Sequence, residues 1–215
     1  PDSMPLPVRF ASFLLVVAPV ALADEPPTLV VEARFPREPQ GTMHYAEALT
    51  LSIGSARPLR LTDSLLPIPG PSFALSGSRF LLLGWSSTGS GMQSIHAIRV
   101  GIRKGAVKRL GVVVSHTDRT SSALLVRRDA HGSLLLGLPE PSDSFLHNED
   151  EWFLAVPGRP QLQLDAIRRL AFEDVTCRPD DLIYSPPFQR APCPARVTWI
   201  SVTAAGFALA SSDGP

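Results

Sequence analysis

Ser122-Ala-Leu-Leu-Val-Arg127 and Ser133-Leu-Leu-Leu-Gly-Leu138 flank the connector Asp129-Ala-His-Gly132. Two short apolar runs around a polar tip that ends in glycine read as a β-hairpin. Asp129 suits the first position of a type I turn. Gly132 suits the left-handed position of a three-residue loop closed by a bulge. Pairing Asp129 with Ser133 sets Val126 opposite Leu136 and Leu124 opposite Leu138, so the apolar sets share one face. Turn chemistry and register therefore agree, and a slip of one residue would destroy that agreement.

The same rhythm continues on either side. Phe80 to Trp85 is a compact apolar strand, and Ser86-Ser-Thr-Gly-Ser-Gly91 is a glycine-serine loop. Gln93 to Arg103 alternates, with Ile98, Val100 and Ile102 on one face. Lys104-Gly105 supplies a turn, Val107 to Ser115 returns, and Thr117 to Ser121 is polar loop. A strict two-residue turn pairs Arg103 with Ala106 and sets Val100 against Arg109, which mismatches the faces. A loop one residue longer or shorter aligns Ile98 and Val100 with the even-numbered set Leu110, Val112 and Val114. Both registers remain open from sequence alone.

Farther out, Thr28 to Phe35 and Ala48 to Gly54 read as strands. Leu65-Leu-Pro-Ile-Pro-Gly-Pro71 carries three prolines, which remove ladder donors, so it reads as a crossing segment or an ordered arm. Trp152 to Val156 is a further strand, and Leu162 to Phe172 fits strand and helix equally. Val197 to Thr203 is a late strand, with Phe207 to Ala210 as a candidate extension. The expected fold is mainly β, a single domain built on an antiparallel meander. It is arranged as a sandwich, a small barrel or a propeller-like sheet.

Residues 4 to 23 stand apart from this pattern. Arg9 is the only charge, Phe10 to Leu22 is apolar, and Ala21-Leu22-Ala23 places small residues before a cut at Asp24. That is the form of a cleavable secretory signal peptide, and its apolar run is too short to span a bilayer comfortably. The expected organisation is 1–23 as upstream residues and signal peptide, then 24–215 as one mainly-β domain. Pro1-Asp2-Ser3 precede Met4 and read as leftover translated sequence, which leaves open whether Ser211 to Pro215 is the natural end or an arbitrary stop. The implied location is periplasmic or secreted, with no membrane span after signal removal.

Roughly 190 residues are enough for one ordinary core. The chain is 44% hydrophobic and formally neutral, and its 22 prolines and 15 glycines favour turns over long helices. A neutral chain has no built-in attraction to phosphate backbones, which argues against a nucleic-acid partner. Cys177 and Cys193 are the two cysteines, and in an oxidising compartment they are expected to pair. Closing that loop is worth roughly 3 kcal/mol in the chain-entropy model.

Chemistry-bearing residues gather in two loops. In Gly84 to Gly91 the backbone suits an anion nest, and Trp85 and Ser87 suit ligand stacking and hydrogen bonding. The simpler reading is a hairpin connection beside a strand-end tryptophan, since no phosphate-loop, dinucleotide or nucleophile-elbow motif is present. Ser115 to Ser122 holds His116, Asp118 and Arg119 in a segment expected on the sheet rim, where binding residues collect. In one of the two registers His96 and His116 lie diagonally, about 7 Å apart, with Asp118 the nearest third ligand. Structural histidines are the simpler reading, and no metal or cofactor is assigned. His147-Asn-Glu-Asp-Glu151 lacks the spacing of a calcium loop and reads as a solvated turn.

The functional expectation is an exported, non-enzymatic binding or interaction protein whose working face includes Trp85, Ser87, His116, Asp118 and Arg119. Its partner is a glycan, a peptide or another envelope protein. The rival is an extracytoplasmic hydrolase using Ser90, His116 and Asp118. A structural envelope component is the third alternative.

Overall fold

The hairpin around Asp129 forms as its turn chemistry dictates. In the computed structural model the Asp129 amide donates to the Ser133 carbonyl at 2.9 Å, Gly132 adopts φ +81°, and Val126 stands opposite Leu136. The structure describes residues 27–36, 46–62, 66–87, 92–118, 123–140, 152–155, 162–163, 172–185, 191–203 and 206–210. The signal-like segment, residues 63–65, 88–91 and 119–122, and the acidic stretch 147–151 lie outside them.

Among the described residues the regular structure is all β. In chain order the strands are β1 (Leu29–Arg34), β2 (Ala48–Ile53), β3 (Leu59–Leu61), β4 (Ile68–Ala74), β5 (Arg79–Ser87), β6 (Met92–Arg103), β7 (Ala106–Asp118), β8 (Leu124–Arg128) and β9 (Leu134–Pro139). They continue with β10 (Trp152–Ala155), β11 (Leu162–Gln163), β12 (Glu173–Asp174), β13 (Leu182–Tyr184), β14 (Arg196–Val202) and β15 (Phe207–Ala210). Three sheets result, ordered β1-β2-β3, β11-β10-β7-β6-β5-β4 and β12-β14-β9-β8-β13, with β15 added to β14. The strand pairings are antiparallel.

The sheets stack face to face, because the central one is apolar on both sides. Leu81, Leu83, Ile95 and Ala97 pack against Leu124, Val126, Leu134, Leu136 and Ile200 of the third sheet. Phe80, Leu82, Ile98 and Val100 alternate to the opposite face and meet Leu49, Leu51, Ile53 and Leu61 of the first sheet. A parallel bridge between Arg57 and Ala106 ties the first sheet to the turn joining β6 and β7. The meander is thus real but exchanged between layers. The chain leaves the central sheet after β7, builds β8 and β9 in the third, returns for β10 and β11, and leaves again.

Four local expectations change. The β6–β7 hairpin uses the tight turn, with Lys104 and Gly105 both at positive φ, and pairs Val100 with Arg109. A bulge between Arg99 and Val100 then shifts the register by one residue, so Ile98 faces Val112 and His96 faces Val114. Leu110 is the extra residue. Each of the two registers therefore holds over half of the hairpin, and the bulge reconciles the turn with the apolar faces. The proline-rich segment becomes β4, an edge strand with its own bulge between Pro69 and Ser72, where missing donors are tolerated. Residues 207–210 do not extend β14 but fold back on it, Val202 pairing with Phe207. Finally, the β8–β9 hairpin is buried on both faces rather than one.

That second face is covered by the disulfide segment. Leu125, Leu135, Val197 and Trp199 form a separate core beneath Val175, Cys177 and Ile183. The Trp199 ring crosses Gly137, where an added Cβ would stand 3.0 Å from the ring. The Cys177–Cys193 disulfide is formed, with its Cα atoms 5.9 Å apart. Arg127 pins the segment from below. It donates to both oxygens of Asp181 at 2.8 and 2.7 Å and to the Thr176 carbonyl at 2.9 Å, and its guanidinium lies 4.8 Å from the Trp199 ring centre. The two side chains are 4% and 1% exposed. Burial pushes the Asp181 carboxyl up, but the Arg127 bonds, the Arg178 amide and the nearby guanidinium charges outweigh it and hold it below the ordinary range.

Breaking this pair leaves a buried charge alone. Arg127→Ala is expected to cost about 3–5 kcal/mol in urea unfolding, and Arg127→Met with Asp181→Leu substantially less. Because folding lowers the Asp181 pKa, its stabilisation is complete above the ordinary carboxylate range near pH 4 and drains as pH falls through the depressed value. An Asp181→Asn variant should lose that part of the acid-side slope.

Candidate functional site

The sequence-predicted face lies at one end of the central sheet. The pairing rows run Trp85–Ile95–Ser115, Ser86–Ser94–His116 and Ser87–Gln93–Thr117, with Met92 opposite Asp118. The backbone therefore brings Trp85, Ser87, His116 and Asp118 onto adjacent rows of three neighbouring strands. Trp85 is half-buried. His116, Thr117 and Asp118 belong to β7 and not to a loop, because β6 is long enough to pair with them. Ser90 and Arg119 lie outside the described residues.

A serine–histidine contact does exist, but between other partners. Ser86 Oγ lies 3.0 Å from His96 Nε2, and the two residues are only 7% and 2% exposed. They are diagonal neighbours, since Gly84 faces His96 and Ser86 faces Ser94. Alternation places them on the side of the sheet shared with Phe80 and Leu82, toward the first sheet. A buried imidazole has to be hydrogen-bonded, and Ser86 provides one partner. The pair was hidden in the sequence because the length of the β5–β6 connection did not fix which serine would meet His96. Among the described residues no group of three or more metal-ligating side chains converges.

The opposite end of β5, roughly 27 Å away by strand rise, carries a concavity that sequence reading missed. Three turns meet there, one from each of three hairpins. The β4–β5 turn contributes Leu75 and Ser76, the β8–β9 turn Arg128 and His131 to Leu134, and the end of β14 contributes Val202 and Thr203. They enclose a cleft of about 310 Å³, at the lower end of the size range of small-molecule sites.

Each turn is locked by its own hydrogen bonds. Asp129 Oδ1 accepts from the amides of His131 at 2.8 Å and Ser133 at 2.7 Å. Desolvation pushes the Asp129 carboxyl up, but those amide donors prevail and hold it below its ordinary range. Arg128 Nη1 donates to the Gly132 carbonyl at 2.8 Å, which fixes the guanidinium over the turn. The Thr203 hydroxyl donates to the Gly206 carbonyl at 3.1 Å and accepts from the Gly206 amide at 3.0 Å. The Leu75 amide donates to the Arg79 carbonyl at 2.9 Å. The lining is therefore set by backbone geometry before any ligand arrives.

Beside the β14–β15 turn, against Gly206 and Phe207, sits Arg99. It is 5% exposed, its guanidinium lies 5.6 Å from the Phe207 ring centre, and its Nε has no hydrogen-bond partner. Burial first, and the Arg79 charge second, lower its pKa. Among the described residues no carboxylate pairs with it.

Comparison with known proteins finds no matching family model, no matching curated protein and no matching solved structure. The site is therefore read from its own chemistry. The Ser86–His96 contact yields a direct test. Ser86→Ala should destabilise the protein by about 1–3 kcal/mol, because Nε2 of the buried His96 loses this hydrogen bond. Ser86→Thr should recover part of the loss, both read by denaturant unfolding.

Proposed function

We propose that the chain works outside the cytoplasm as a non-enzymatic binding protein, with the three-turn cleft as its ligand site. The observation that carries the reading is the cleft itself: polar side chains from separate hairpins, held by locked turns beside the half-buried Leu75, which packs on the buried Leu134 and Val202. Preorganised polar groups over apolar lining are what a small-molecule site requires.

The extracytoplasmic setting draws on two supports. The Cys177–Cys193 disulfide is compatible with an oxidising compartment, and residues 4–23 have the form of an export signal. Among the described residues no helix is long and apolar enough to cross a membrane. The burial of Ser86 and His96 favours a structural role for that contact over a nucleophile–base role, which needs access to substrate.

Expression of the complete chain in a bacterial host tests the setting. The expected product is exported, begins at Asp24 and resists thiol labelling until reduced. An intact cytosolic product with two reactive thiols would overturn it. Screening that product against saccharides and peptides tests the role, and Ser133→Trp, which fills the cleft, should abolish the binding found. Binding undiminished by Ser133→Trp, or ester or peptide turnover abolished by His116→Ala, would contradict the reading.

A further inference from the structure

The cleft has a sign as well as a shape. Arg128 spends one N–H on the Gly132 carbonyl, and its remaining N–H groups carry no hydrogen bond among the described residues. The guanidinium is thus oriented but retains donors, the state in which arginine captures a planar oxyanion with two parallel bonds. His131 lines the same cleft, and Ser76 and Ser133 add hydroxyls. Arg99 lies buried beside the β14–β15 turn, against Gly206 and Phe207, and Arg79 flanks the β4–β5 turn.

Asp181, just before the strand beside β8, is held by Arg127, and Asp129, the carboxylate of the β8–β9 turn, is committed as well. Its Oδ1 accepts two amides of its own turn, so it braces the loop instead of cancelling Arg128. Apolar surface comes from the half-buried Leu75, which packs on the buried Leu134 and Val202. That suits a ligand with a hydrocarbon face opposite its charged group.

We infer that the cleft binds a small oxyanion-bearing ligand, about the size of one acidic sugar, with Arg128 as the principal anion contact. This rests on the binding reading above and adds the ligand class. The oxyanion is a carboxylate, or a sulfate or phosphate group, and titration separates them.

Isothermal titration of the exported chain at constant ionic strength uses glucuronate, glucose 6-phosphate, glucose 6-sulfate and inorganic phosphate, with glucose as the neutral control. At least one acidic sugar should bind ten-fold or more tighter than glucose, matching the worth of a charge-assisted hydrogen bond. The preferred acid identifies the oxyanion. Arg128→Gln should lose about ten-fold or more in affinity while melting near the parent temperature. Arg34→Gln, an exposed arginine paired with Glu47 on β1, should leave affinity unchanged. His131→Ala provides a second variant that leaves Arg128 and its turn bond in place, and should weaken the same acid.

Equal binding of glucose and the acids, blocked by Ser133→Trp, would overturn the anion inference and leave the binding reading standing. Equal loss in Arg128→Gln and Arg34→Gln would reduce the effect to general surface charge and overturn it. Absence of binding by every acidic probe would overturn it as well.

Discussion

The constraint from which the rest follows is that two hairpins, β5–β6 and β8–β9, are apolar on both faces. A hairpin with one greasy face needs one cover, whereas these need two. Stacking them on each other satisfies the inner faces, through Leu81, Leu83 and Ala97 against Leu124, Val126 and Leu136. The outer faces then require further layers. The small β1–β3 sheet covers Phe80, Leu82 and Val100, and the disulfide segment covers Leu125, Leu135 and Trp199. The layered architecture is the consequence of those two sequences, with hydrophobic burial as its main driving force.

Polar groups caught inside such a stack meet different fates. Ser86 and His96 are joined by a hydrogen bond within the central sheet. Arg127 is compensated by a carboxylate, a carbonyl and an aromatic face, and it converts a buried charge into an anchor for the outer segment. Among the described residues Arg99 receives an aromatic face and no carboxylate. The contrast matters because an uncompensated cation is disfavoured by desolvation unless something balances it.

Local chemistry was legible and remote encounters were not. The turn from Asp129 to Gly132 carried its own register, and the pairing of Cys177 with Cys193 followed from there being two cysteines in an export-like chain. Lys104-Gly105 announced a tight turn, but the bulge at Leu110 arises from a conflict between that turn and the apolar faces, so each register was visible and their coexistence was not. The prolines of β4 excluded a central strand and were silent about an edge. β15 looked like a continuation because its hydrophobicity says nothing of direction. The cleft was least readable. Arg128, His131 and Ser133 were in view, but their neighbours Ser76 and Thr203 lie more than fifty positions away in sequence, and only the stacking of sheets brings them together. Trp85 and His116 drew notice for intrinsic chemistry, and they occupy the other end of the same strands.

Native-state hydrogen exchange tests the layered account most directly. With both faces covered, amides of Leu81–Leu83, Ile95–Ile98, Leu124–Val126 and Leu134–Leu136 should exchange through global unfolding alone, while β1 to β3 open at lower free energy. Reducing the disulfide should speed exchange at Val175 and Leu182–Tyr184 ahead of the β5–β6 hairpin. Uniform protection across β1 to β3 and β5 to β6, or early exchange in β5–β6 with the disulfide intact, would contradict it.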